Sequence, residues 1–540
     1  MGVSSENLES IQNRPFLRRL TAYAKLTGPG WLQSAVTLGG GSLAGALYLG
    51  VVAGYSLMWL QPLAMLCGVI MLGALSHVTL ERGDYPFESV KKTISPTLAW
   101  GWLAATVIAD VIFCAAQASL GVATLQQNLG LVNVNPYVIT TVLAACALAA
   151  ASLYALGSKA VENVEFVLKI LVAMVVVSFA LAAGFLLFTG KVDILAVIKG
   201  FIPNPTSLFK PAASIEPMIE ATGASSEYWS TYIADNQRNR IIAAFGTAVG
   251  INMTFILPYT LLKRGWTKKH RQLSRYDLAI GLLIPFSVAT ALLVISSAAA
   301  FHTNHTNVLG ENGKPVPALA GGYYKILESK LAADGIALPE ETEARRAIAD
   351  TLPESDRQLA AALTNRDSKQ LSATLAPLMG ESAANLIFGV GVLAMVVSTM
   401  MVHMMINGFA VSQAVGTPGK ARPFIIGACM PALLATFAPI AWSSDAKTAL
   451  LIPTAVIATV FLPIAYLSIL LLMNSKTQLG EKRASPLINI LMILSAGMAT
   501  FASVWTLSAR GIWGTVGITG LVILAVVGIG GFIKNSKAKA

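Results

Sequence analysis

From Leu26 to Leu80 the chain carries no Asp, Glu, Lys or Arg. A stretch of that length cannot supply a water-exposed surface, so its solvent must be hydrocarbon. Uncharged apolar runs recur along the whole chain, many of them about 20 residues long and sufficient to cross ~30 Å of bilayer core. Composition agrees: of 540 residues, 55% are hydrophobic and only 12% charged, against about 25% charged in a soluble domain. Backbone polar groups inside a bilayer must be satisfied within the structure. Runs of this length achieve that as helices, whereas a barrel would show short alternating segments.

The chain therefore reads as an all-α membrane protein with twelve transmembrane helices. They fall at about 28–51, 54–77, 98–125, 136–157, 164–190, 240–263, 276–301, 384–414, 423–442, 449–473, 486–508 and 512–533. Tails of 1–27 and 534–540 flank them, and 474–533 holds the last two spans. Two connections are long, 191–239 and a polar insertion at 302–383, where ETEARRAIADTL suggests small amphipathic helices. Lys263, Arg264, Lys268, Lys269, Arg271 and Arg275 crowd the loop after span 6, while the opposite short loops hold little more than Lys447 and Arg510. That asymmetry places both termini in the cytoplasm. It explains the net charge of +11 as orientation in lipid, with no nucleic-acid partner implied. A basic tail leading straight into span 1, with no cleavable signal, suits a bacterial inner membrane.

Several classes fall away. There is no Walker, GxSxG or HExxH motif, so the expectation is no enzyme, no cofactor and no nucleotide-driven pump. Cys67, Cys114, Cys146 and Cys429 lie in apolar runs without metal-type spacing. Any transport is secondary or channel-like.

Gly39, Gly40 and Gly41, followed by Ser42, interrupt span 1. Each glycine costs about 1 kcal/mol in a helix interior. The run fits an unwound segment lining a cavity, and it equally fits close helix packing through small residues.

The segment GPGWLQSAVTLGGGSLAGALYLGVVAGYSLMW, residues 28–59, resembles the first helix of the Nramp family of proton-coupled divalent metal transporters. Span 10, at 450–480, and spans 6 and 7 occupy matching places. The resemblance implies an inverted five-plus-five repeat, the LeuT-like fold of the amino acid–polyamine–organocation superfamily. Spans 1 and 6 would be broken, with substrate at the breaks: Gly39, Gly40, Gly41 and Ser42 on one side, Ile251, Asn252, Met253 and Thr254 on the other.

The chain departs from the family at the ligands. The family's metal-binding Asp falls on Gly39 and its Asn on Ser42. Its sixth-helix Met falls on Thr254, or on Met253 if the register slips by one, and its tenth-helix Gln falls on Ala455. Without carboxylate and thioether, backbone carbonyls with Ser42, Thr254 and Asn252 suit a hard, partly hydrated ion such as Mg²⁺ or Mn²⁺ rather than a soft metal. The metal candidates are thus Ser42 and Thr254. Alternatively, N–H groups of the glycine-rich break hold a carboxylate, as in the superfamily's amino-acid carriers.

Charges at membrane depth default to function. Asp110 in span 3 is a proton or cation site, or a structural acid. Gln117 occupies the place of a third-helix Glu in the family's proton pathway. His403 in span 8 is a proton relay or a packing residue, and Asn407 and Gln413 follow it as interhelical hydrogen-bond donors. Glu162 and Glu165 at the start of span 5, and Arg422 at the start of span 9, form ion pairs or an inner gate. The expected function is alternating-access transport of a small divalent cation, with protons as a second substrate. An organic-solute carrier, and a channel or membrane sensor, are the alternatives.

Overall fold

The computed structural model describes residues 10–537 except 12, 156–157, 311, 367, 374–375, 377–379 and 442–450. Lys447 lies outside the described residues, as does the side chain of Ala455. Among the described residues, nine single helices are long and apolar enough to cross a membrane. Two bent helix pairs, Pro29–Thr37 with Gly40–Ala53 and Ala458–Asn474 with Lys476–Lys482, bring the number to eleven if each is one span. The protein is an integral membrane bundle.

Span 1 consists of Pro29–Thr37 and Gly40–Ala53, which meet at 56°. The break falls at Leu38–Gly39, so Gly40, Gly41 and Ser42 already form the first turn of the second half. Gly39 has φ −112° and ψ −175°, extended backbone open to any residue. Glycine is required there for space: a Cβ would stand 2.8 Å from Thr399 Oγ1. The weak helix propensity of the triplet is therefore only part of the reason for its composition.

Span 6 is broken as well, into Ser226–Ala248 and Ile251–Lys263, with Val249 and Gly250 extended between them. Its first half begins well inside the stretch 191–239 read as loop from sequence. Glu227, Asp235, Arg238 and Arg240 disguised it. The helix packs against spans 1, 2 and 10, with Glu227 and Asp235 on its exposed side and Arg238 and Arg240 partly buried. Arg238 pairs with Asp235, and the Arg240 guanidinium lies 4.2 Å from the Tyr48 ring centroid. The expected count of twelve is reached only with this polar pair, which hydropathy alone does not select.

Span 3 (Pro96–Ala123) and span 8 (Glu381–Ala414) run side by side through the centre. Span 12 (Gly511–Lys537) exposes Ile512, Trp513 and Val526, as a lipid-facing helix should. The 302–383 insertion folds into short helices, among them Pro317–Ala333, Thr342–Ala349 and Glu354–Leu363. It is tied to the bundle: Trp229 Nε1 of span 6 donates to Asp356. The buried Arg366 donates to the carbonyls of Ala362 and Asn304, and burial lowers its pKa to about 10.

Candidate functional site

The two breaks face each other across a cavity of about 30 Å³. One water needs about 10–15 Å³ on this measure, so the space fits a water or two, or an ion. Its walls include Thr37, Gly39, Gly41 and Ser42 from span 1, Gln117 and Phe113 from span 3, Asn252 and Met253 from span 6, and Thr399 and His403 from span 8.

Local bonds hold both breaks open. Gln117 Oε1 accepts the Gly40 N–H at 3.0 Å, capping an otherwise orphaned helix-start donor. Ser42 Oγ donates to the Thr37 carbonyl at 2.5 Å, across the break. Thr399 Oγ1 donates to the Ala35 carbonyl at 3.1 Å. At span 6, Asn252 Oδ1 accepts the Met253 N–H at 3.0 Å, while its Nδ2 donates to Asp110 Oδ1 at 3.1 Å. Thr37 Oγ1 lies 3.2 Å from Met253 Sδ.

Asp110 stands behind this wall. Its Oδ1 is 2.7 Å from His403 Nδ1, and among the described residues its buried Oδ2 has no hydrogen-bond partner. When Asp110 is ionised it only accepts, and in that state His403 Nδ1 carries the proton between them; Asn252 Nδ2 lies 3.2 Å from the same ring nitrogen. Phe113 stacks on the imidazole, 5.4 Å between centroids and 7° between planes, fixing its plane.

A second cluster closes the start of span 1. Asp277, fully buried, accepts the Gly28 N–H at 2.7 Å and the Gly30 N–H at 2.6 Å. Arg264 pairs with Glu165 and donates to the Leu26 carbonyl at 3.0 Å. Lys169 donates to the Thr27 carbonyl at 2.8 Å. The GPG motif follows from this crowding, since a Cβ on Gly30 would be 2.2 Å from the Asp277 carbonyl oxygen and one on Gly28 2.4 Å from Arg264 Cζ.

The candidates sort accordingly. Gly39, Gly41, Ser42, Asn252, Met253, Gln117 and His403 line the cavity. Gly40 contributes through its capped amide. Ile251 and Thr254 do not line it. Thr254 accepts from Trp102 Nε1 at 3.0 Å and donates to the Ile251 carbonyl, so it faces span 3 and is withdrawn as a metal candidate. The slipped register places Met253 at the cavity instead. Glu165 is in the closing cluster, whereas Glu162 and Arg422 are exposed. Gln413 bridges Glu88 and Tyr259. Asn407 departs from expectation, because neither amide atom has a partner among the described residues. Sequence reasoning missed Thr37, Thr399 and Asp277. Thr399 lies one turn before His403, and Asp277 is the second residue of span 7 as read from sequence, directly after the basic loop.

A helical membrane bundle with two broken helices enclosing a small polar cavity has the architecture of a carrier. The chain belongs to the Nramp family: the natural resistance-associated macrophage protein-like profile matches residues 30–327 and 351–509. This is a transporter family. Among solved structures, the Eremococcus coleocola manganese transporter, bound to an aromatic bis-isothiourea compound, shares the fold. Its TM-score is 0.67 at 14% identity, over 97% of each chain. A mutant of the same transporter gives 0.57 at 13% identity, over 98% of this chain and 97% of that one. Comparison with curated protein sequences found no match.

Proposed function

We propose that this protein carries a divalent cation, Mn²⁺ first among candidates, through the cavity between the two breaks. The observation that carries the reading is His403 at the cavity wall with Asp110 bonded to it from behind. A histidine that binds a metal through one ring nitrogen commonly gives the other N–H to a carboxylate, which orients the ring and raises its basicity. Asp110 thereby supplies the negative charge that Gly39 lacks. Met253 and His403, together with the oxygens of Ser42 and Thr37, make a mixed sulfur, nitrogen and oxygen donor set. That set suits a first-row transition ion better than Mg²⁺, which favours oxygen and water. Among the described residues there is no cluster of three His, Cys, Asp or Glu, so the cation retains part of its water shell. Manganese is also the ion in the name of the structural relative.

Asp110, His403 and Gln117 are the candidate proton-coupling groups. The cluster of Asp277, Glu165, Arg264 and Lys169 acts as the gate that frees or holds the start of span 1 during alternating access. The basic face is cytoplasmic, with both termini there, in a bacterial inner membrane. A cavity of about 30 Å³ leaves no room for an amino acid in this conformation, and the Gly40 amide that would grip a carboxylate is already capped.

The test is uptake into proteoliposomes holding the full chain, followed with an internal metal-sensitive dye, with and without an inward pH gradient. Saturable Mn²⁺ uptake exceeding that of Mg²⁺ is the expected result. No uptake of either ion by folded, oriented protein, with flux of a labelled amino acid, overturns the reading. No flux of any solute leaves a sensor.

A further inference from the structure

On the basic face, between spans 2 and 7, a cleft is lined by Gly73, Ser76, His77, Arg271, Ser274 and Arg275. Nothing in the transport reading uses it. Its charge is unbalanced. Glu81 is the acid beside it, and that carboxylate is already shared by Arg271 at 3.3 Å and Lys482 at 2.5 Å. Arg275 is exposed and has no ion-pair partner among the described residues. Ser76 Oγ and Ser274 Oγ, both buried, lie 2.6 Å apart. One hydroxyl proton makes that bond, and the other is free to donate into the cleft. His77 Nε2 is held by the Lys482 carbonyl at 2.8 Å, while its buried Nδ1 has no partner among the described residues. Hydroxyl and guanidinium donors therefore converge on the space, and His77 Nδ1, an acceptor while Nε2–H donates to the carbonyl, adds a further donor once the ring is protonated.

We propose that this cleft binds a phosphate oxyanion. The enclosed space is about 10 Å³, room for one oxygen-sized atom. It takes one phosphate oxygen, with the rest of the group in the open mouth, where Arg271 and Arg275 reach it. That geometry fits the end of a phosphodiester entering from the side. Basic pockets between membrane helices on the cytoplasmic side are where anionic lipid headgroups bind. Free inorganic phosphate offers the same chemistry. The helix Arg271–Leu278 that lends Arg271, Ser274 and Arg275 to the cleft also carries Asp277 to the start of span 1. A phosphate held there braces the segment on which span 1 rests. The inference does not depend on which solute is carried.

The test is native mass spectrometry of the detergent-solubilised full chain with phosphatidylglycerol, with phosphatidylcholine, and with inorganic phosphate as competitor. Wild type should retain phosphatidylglycerol over phosphatidylcholine, and Arg275→Gln should weaken that retention about fivefold. Ser274→Ala should weaken it too, while Lys268→Gln, an equal charge loss on an exposed residue outside the cleft, should not. Displacement of the lipid by millimolar phosphate would keep the site and assign it to the soluble oxyanion; resistance would assign it to lipid. Equal losses for Arg275→Gln and Lys268→Gln, or no loss in either cleft variant with the fold intact by size exclusion, would overturn the proposal.

Discussion

Asp110 and Asp277 are equally buried acids inside one helical bundle, and their partners divide them. Asp277 has both oxygens filled by backbone N–H groups of Gly28 and Gly30. It acts as a cap supplied from another span, at a helix start where negative charge is favoured. Asp110 spends one oxygen on His403 and Asn252 and leaves the other without a partner among the described residues. A buried acid with both oxygens hydrogen-bonded is structural. One with an unanswered oxygen, beside a polar cavity, is available for chemistry.

The sharpest way to break this contrast is to attack the structural end. Arg264→Gln leaves Glu165 buried without its cation and should cost about 3–5 kcal/mol of stability, read as a large fall in melting temperature in detergent. Unchanged stability would mean that the cluster does not hold span 1. The functional end should behave oppositely. Asp110→Asn should raise the Mn²⁺ KM about 10- to 100-fold with little change in melting temperature. Asp277→Asn retains one acceptor and should cost only about 0.5–2 kcal/mol, with the Mn²⁺ KM close to wild type. Gln117→Ala removes the cap on the Gly40 amide and should have an effect in the same range, about 1 kcal/mol. If Asp277→Asn raised KM more than Asp110→Asn, the two roles would have to be exchanged.

Much of the frame was legible from sequence. The uncharged runs placed most spans, and three glycines with Ser42 marked the break in span 1 to within a residue or two. Two things were hidden. The first half of span 6 carries two exposed acids, Glu227 and Asp235, and two partly buried arginines that stack on aromatic rings, and hydropathy cannot tell such a helix from a loop. The pairing of Asp110 with His403 joins spans far apart in the chain. Each residue was visible alone as a membrane-depth group, but no periodicity links them. The choice between Met253 and Thr254 was a matter of register, and the face a side chain takes at a break depends on local dihedrals that residue types do not specify. Asp277 escaped because, at the very start of span 7 and directly after a run of Lys and Arg, an acid reads as interfacial charge.

The central claim is that the carboxylate serving the cation has its place on span 3, acting through His403, and not on span 1. The most direct test is Mn²⁺ uptake by proteoliposomes of Asp110→Asn alone and combined with Gly39→Asp, which restores the family's acid at the break. The account predicts that Asp110→Asn takes up Mn²⁺ far more slowly than wild type at concentrations below the wild-type KM, and, because a side chain at 39 meets Thr399 Oγ1 at 2.8 Å, that the added aspartate does not restore it. Wild-type uptake by Asp110→Asn, or recovery in the double variant, would contradict the account.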